Sequence, residues 1–85
     1  MRLLKFYSDT CVPCKTVGQM LDSIVLSVNV DGINIHTNTN PVREFRVRSI
    51  PTLILVDDQF KEVDRLVGQP SYEDLHLFLD NNNLL

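Results

Sequence analysis

Cys11 and Cys14 are the only cysteines in the chain, and they lie three positions apart in the stretch Thr10-Cys11-Val12-Pro13-Cys14-Lys15. An apolar run with Leu3, Leu4, Phe6 and Tyr7 precedes them, and a helical pattern follows. This placement constrains the fold strongly, because a helix start brings positions i and i+3 onto one face and lets the two sulfurs meet. Cys11 is expected at or just before the first turn. There, unpaired backbone N–H groups and the positive end of the macrodipole favour an anion. A thiolate is such an anion, so Cys11 is the expected attacking sulfur, with a lowered pKa. Cys14, one turn further in and less exposed, is placed to resolve a mixed disulfide. Pro13 has no N–H to leave unpaired in that turn and presets φ for the helix.

Two other uses of such a pair are weaker. A zinc site wants four ligands, and only His36 and His76 remain as nitrogen donors, neither in a second ligand pair. No metal is therefore expected. A purely structural disulfide would close a very short loop and remove little entropy from the unfolded chain. A strand before the motif and a helix after it are the context that redox chemistry requires.

At 85 residues the chain is expected to form a single domain spanning 1–85, near the size at which one core is just sufficient. The net charge of −3 argues against a nucleic-acid or anionic-membrane surface, both of which want clustered positive charge. Arg43, Arg46 and Arg48 are interleaved with Glu44 and apolar residues, and read as a solvated helix face and its exit. No apolar run approaches membrane-spanning length, and the N-terminus reads directly as strand, with no signal peptide. Two cysteines alone suit a cycling dithiol in a reducing cytosol better than a disulfide framework. A cytoplasmic monomer is expected.

Taken in order, Arg2 to Tyr7 reads as a buried strand in which Lys5 is the exception. From Val12 a helix runs to about Ser23 or Ile24, with Val17, Met20, Leu21 and Ile24 as its core stripe and Gly18 marking close packing or a bend. Val25 to Val30 is ambiguous, Asp31-Gly32 reads as a turn, and Ile33 to Thr37 as a short strand with a solvent-facing His36. Asn40 and Pro41 open a short helix over Val42–Arg46 that turns Val42 and Phe45 inward. Pro51 introduces a strand over Thr52–Val56, Asp57-Asp58-Gln59 is a hairpin turn, and a strand from about Phe60 to Val67 returns. Ser71 caps a last helix with Leu75, Phe78 and Leu79 as its buried stripe, ended by Asn81-Asn82-Asn83. The order is β-α-β-α-β-β-α. The first three strands are expected to be parallel and the fourth antiparallel.

Three segments resemble the thioredoxin superfamily. Phe6-Tyr7-Ser8-Asp9-Thr10-Cys11-Val12-Pro13-Cys14-Lys15 resembles its active-site stretch, Val47-Arg48-Ser49-Ile50-Pro51-Thr52-Leu53 the segment around its cis-proline, and Val67-Gly68 the glycine bordering its substrate groove. The resemblance implies an α/β thioredoxin-like fold: a four-stranded mixed sheet in the order 2-1-3-4 with three helices, lacking the first strand and helix of full-length thioredoxins. It implies Cys11 as nucleophile, Cys14 as resolving thiol, and a groove formed by Val12, Pro13, Ile50, Pro51 and Gly68. The redox-active disulfide would need no other cofactor.

The departures are also informative. Thr10 replaces an aromatic, Val12 replaces a glycine, and Lys5 stands where thioredoxins place a buried carboxylate. A lysine there either lowers a nearby thiol pKa or turns its ammonium away to solvent. The second is the expectation, since burying a lone ammonium is costly. Lys15 is the other candidate modulator. The implied activity is protein-disulfide reduction with thioredoxin reductase or glutathione as reductant, and family analogy adds ribonucleotide reductase as a client. A glutathione-dependent glutaredoxin is the alternative within the class, with Lys15 and Arg48 meeting a glutathione carboxylate. It is weakened by the missing double glycine in Val67-Gly68-Gln69-Pro70 and by Pro13 standing next to Cys14. A non-catalytic binding module that uses the groove beside Pro51 is the reading from outside the class.

Overall fold

The elements of the computed structural model, which describes all 85 residues, are β1 (Arg2–Tyr7), α1 (Val12–Asp22), β2 (Asn29–Asn34), α2 (Thr39–Glu44), β3 (Thr52–Val56), β4 (Glu62–Val67) and α3 (Tyr72–Asn81). The four strands form one sheet in the order β2-β1-β3-β4. The fold class, strand order and helix count follow the sequence-based expectation.

Strand direction does not. β1 and β2 are parallel, but β3 runs antiparallel to β1, and β4 antiparallel to β3. The short α2 does not run the length of the sheet. Six helical residues advance about 9 Å, whereas crossing a six-residue strand takes about 20 Å. The segment after β2 instead crosses beneath the sheet and enters β3 from the end where β2 stops. β2 ends with Asn34 beside Tyr7, and β3 starts with Thr52 opposite Phe6, at the same end.

Other boundaries differ too. β2 begins at Asn29, so Asp31-Gly32 lies inside a strand rather than in a turn. Pairing with β1 overrides the local turn preference. Arg2 donates to Asp31 at 2.9 Å across the pair, and Gly32 stands opposite Lys5. A Cβ at Gly32 would come within 3.2 Å of the Tyr7 ring, so glycine makes room for that ring. His36 lies in the turn after β2, exposed, with its N–H donating to Asn34 Oδ1 at 3.0 Å. α2 begins three residues earlier than its composition suggests, with Asn38 rather than Asn40 at the cap position. β4 starts at Glu62. Phe60 has φ 59° within the turn, where the Asp57 carboxylate accepts the N–H groups of Gln59 (2.8 Å) and Lys61 (3.0 Å).

The two-residue period of β1 divides its side chains between two cores. On one face Leu3 joins Leu53 and Leu55 of β3, Val17 and Leu21 of α1, and Leu75, Phe78 and Leu79 of α3. Leu84 also enters this cluster, 2% exposed, as the chain folds back after α3. On the other face Leu4, Phe6, Ile54 and Val56 are buried beneath α2, with Val42 and Phe45 packed inward as expected. The Phe6 and Phe45 rings meet edge to face at 6.3 Å. Ser71 caps α3 as expected, its hydroxyl accepting the Asp74 N–H at 3.1 Å.

Candidate active site

The loop leaving β1 turns sharply before α1, with the Cys11 N–H donating to the Ser8 carbonyl at 3.3 Å. Cys11 occupies the N-cap position in extended backbone (φ −87°, ψ 105°), and its Sγ accepts the Cys14 N–H at 3.1 Å. Sulfur therefore takes the place usually held by a serine or aspartate oxygen at a helix start. No acidic residue lies in the first turn of α1 to compete for the positive end of the helix. Pro13 sits in the first turn, as the sequence suggests.

Cys11 and Cys14 are joined in a disulfide, with Cα atoms 5.2 Å apart. Their surroundings differ. Cys11 is half-buried, whereas Cys14 is 3% exposed and faces the sheet. Val12 and Pro13 between them project outward, with Val12 69% exposed. An approaching chain meets Cys11 and an apolar rim before it meets Cys14.

Sheet register places the other candidate residues at the same end. Thr52 pairs with Phe6 and with Val67, so Pro51 and Gly68 continue the two strands toward the cysteine loop. The Ile50–Pro51 peptide is cis, as the resemblance implies. The Gly68 N–H donates to the Pro51 carbonyl at 2.8 Å, and the Thr52 hydroxyl to the Ser49 carbonyl at 2.7 Å. Both bonds hold the loop before β3 in shape. Gly68 has φ +85°, a left-handed conformation that glycine adopts without steric cost. Pro51 is buried, Ile50 is half-buried and Gly68 partly exposed.

Lys5 does not turn away from the site. Its position in β1 puts it on the α1 face. Its Nζ lies 5.6 Å from the centre of the Tyr7 ring, and a Cβ at Gly18 would come within 3.1 Å of it. Lys5, Tyr7, Ser8, Asp9, Cys14 and Lys15 line one cavity of about 210 Å³. Lys15 and Arg48, paired above as a candidate carboxylate clamp, line separate cavities. Arg48 stands with Glu44, Phe45, Arg46, Lys61, Glu62 and Arg65 on the α2 side. The roles of Tyr7 and Gly18 beside Lys5 were not legible as a site. The available signal was that Lys5 and Tyr7 share one strand face and that Gly18 follows Cys14 by four residues.

A disulfide across a helix start, with one sulfur reachable from solvent and the other beneath it, can exchange with an outside disulfide. The thioredoxin family model matches residues 1–81. The chain belongs to the thioredoxin family. It is 44% identical over 69 residues to a thioredoxin of Chlamydia caviae, a match covering 78% of this chain and 67% of that one. It is 32% identical over 68 residues to the SPbeta prophage-derived thioredoxin-like protein YosR of Bacillus subtilis, covering 80% of this chain and 82% of that one. The solved structure of a mutant thioredoxin from Halobacterium salinarum superposes with a TM-score of 0.82 at 26% identity, covering 94% of this chain and 72% of that one. The protein is a thiol–disulfide oxidoreductase with protein-disulfide reductase activity, and its redox group is the Cys11–Cys14 pair. Thioredoxins draw electrons from a reductase and pass them to disulfide-bearing proteins. No helix in the chain is long and apolar enough to cross a membrane.

Proposed function

We propose that residues 1–85 act as one thioredoxin-like domain in the cytoplasm, and that this monomeric protein reduces client disulfides with Cys11 as nucleophile and Cys14 as resolving thiol. The observation that carries this reading is the N-cap position of Cys11: its Sγ accepts a helix N–H, while Cys14 lies buried one turn below. Once reduced, a Cys11 thiolate at that position would accept the same N–H as a charge-assisted bond. It attacks one sulfur of the client disulfide, forming a mixed disulfide and releasing the other client sulfur as a thiolate. Cys14, deprotonated, then attacks Cys11 Sγ. The Cys11–Cys14 disulfide forms, the second client sulfur departs, and two electrons have passed from the dithiol to the client.

Val12, Pro13, Ile50, Pro51 and Gly68 form the surface against which the client backbone lies. Their shared position at one end of the sheet and the apolar exposure of Val12 support this. Thioredoxin reductase is the reductant we favour over glutathione, because Lys15 and Arg48 line separate cavities and do not form one carboxylate clamp. Ribonucleotide reductase is the proposed client.

Insulin-disulfide reduction with dithiothreitol tests the reading. The wild-type protein should accelerate insulin precipitation and Cys11→Ser should fall to the uncatalysed rate; equal rates would overturn it. Coupling the oxidised protein to thioredoxin reductase or to glutathione with glutathione reductase then identifies the electron source.

A further inference from the structure

Cys14 has a difficulty that Cys11 does not. At 3% exposure its thiol is surrounded by protein, and burial disfavours the thiolate that must attack the mixed disulfide. Two cations line the same cavity, the exposed Lys15 and the partly buried Lys5. Gly18 follows Cys14 by one helical turn on the same face, a spacing of about 5–6 Å between Cβ positions. The Lys5 ammonium rests against Gly18, at 3.1 Å from where a Cβ would be. A side chain at 18 would press on it. The Tyr7 ring, 5.6 Å away, holds it from the strand side, and Gly32 clears the space for that ring. Lys5 takes part in none of the ion pairs of the molecule, which join Met1 to Asp58, Arg2 to Asp31 and Arg65 to Glu62. Its charge is therefore not neutralised by a direct carboxylate partner. The cavity it shares with Cys14 is about 210 Å³.

We infer that Lys5 is a charge-tuning residue for Cys14: its ammonium stabilises the Cys14 thiolate during resolution of the mixed disulfide and, in the resting dithiol, favours the reduced form. The inference rests on the thiol–disulfide chemistry proposed above. Cys14 gives its proton to solvent, attacks Cys11 Sγ, and the departing client sulfur takes up a proton from solvent, so charge and electrons balance. The other titratable groups on the cavity are Tyr7 on β1, Asp9 in the loop and Lys15 on α1. Asp9 and Lys15 are exposed, so solvent screens both more than it screens Lys5. Asp9 opposes the effect and Lys15 adds to it weakly.

The decisive measurement is a titration of the lone Cys14 thiol in a Cys11→Ser background, followed by ultraviolet thiolate absorbance. Adding Lys5→Met should raise the apparent thiol pKa by about one unit or more, Lys5→Arg should restore much of it, and Lys15→Gln should move it less than Lys5→Met does. With both cysteines intact, Lys5→Met should shift the glutathione exchange equilibrium about tenfold toward the disulfide, which is about 30 mV for this two-electron couple. That shift should shrink at pH values where Cys14 stays protonated in both proteins. Lys5→Gln carries the same expectation if Lys5→Met fails to fold. A thiol titration and an exchange equilibrium unchanged by either neutral variant, or a larger effect from Lys15→Gln, overturns the inference. Insulin reduction by the wild-type protein reports separately on the underlying chemistry, so an active protein with an unmoved titration refutes the role of Lys5 alone.

Discussion

On the sheet face covered by α1 and α3, nine buried residues drawn from β1, β3, both helices and the C-terminal turn form one cluster. On the face under α2 only Leu4, Phe6, Ile54 and Val56 are buried, and α2 itself contributes no buried residue. The two faces also carry different parts of the site. Cys14 and Lys5 lie on the thick face, anchored by a helix of eleven residues. Ile50 packs on the thin face, in the loop that follows a six-residue helix. The reacting sulfurs thus stand on the better-supported side of the molecule, and the segment proposed to meet a client backbone stands on the side with less packing behind it. Low local packing is what lets a binding segment adjust without unfolding its neighbours.

Truncating a side chain on each face tests this difference most directly. Leu79→Ala should cost about 3 kcal/mol in urea unfolding, since it empties a fully buried position in the large cluster, while Val42→Ala should cost only about 1 kcal/mol. Equal costs would mean that the α2 face is as tightly supported as the other. Arg65 shows how the thin face is tied down. It bonds Glu62 and also donates to the Phe45 carbonyl at the end of α2, at 2.7 Å. Arg65→Met should therefore cost about 1–2 kcal/mol, because it leaves that carbonyl without its donor, whereas Glu62→Gln should cost under about 1 kcal/mol and less at high salt. A larger loss from Glu62→Gln would place the support in the ion pair rather than in the bond to α2.

The smallest effect is in acid. Backbone N–H groups of Lys61 and Gln59 hold the Asp57 carboxyl below its usual value of 3.8, and the Arg65 guanidinium holds Glu62 below 4.5. Both groups bind a proton more readily unfolded than folded. Their contribution is thus complete above the ordinary values and is lost as pH falls through them toward the depressed ones. Asp57→Asn keeps an oxygen acceptor in the hairpin but removes its titration, so stability should fall less steeply with acidification. An unchanged slope would remove the Asp57 turn from the acid response.

The thick face was the more legible one. Val17 and Leu21 on α1, and Leu75, Phe78 and Leu79 on α3, stand at helical spacing and are buried as that spacing implies. The thin face was read less well. Thr39–Glu44 is too short to show a helical period, so its start was displaced by three residues. Asp31-Gly32 has the local chemistry of a turn, and only the edge pairing with β1 makes it strand. The thick face also held one residue that spacing did not reveal: Leu84 had no periodic partner, and its burial depends on the turn that follows α3.

Spacing and residue type alone settled the Cys11–Cys14 pair, the strand before it and the helix after it, because those depend on interactions within a few residues. The direction of β3, the meeting of Pro51 with Gly68 at the cysteine end, and the placing of Lys5 on the cavity that Cys14 also lines depend on pairings between distant parts of the chain. Local preference carries no information about such pairings: the residues of β3 do not say from which end of the sheet the chain enters it, and Lys5 stands between Gly18 and the Tyr7 ring only because α1 packs on that face of β1.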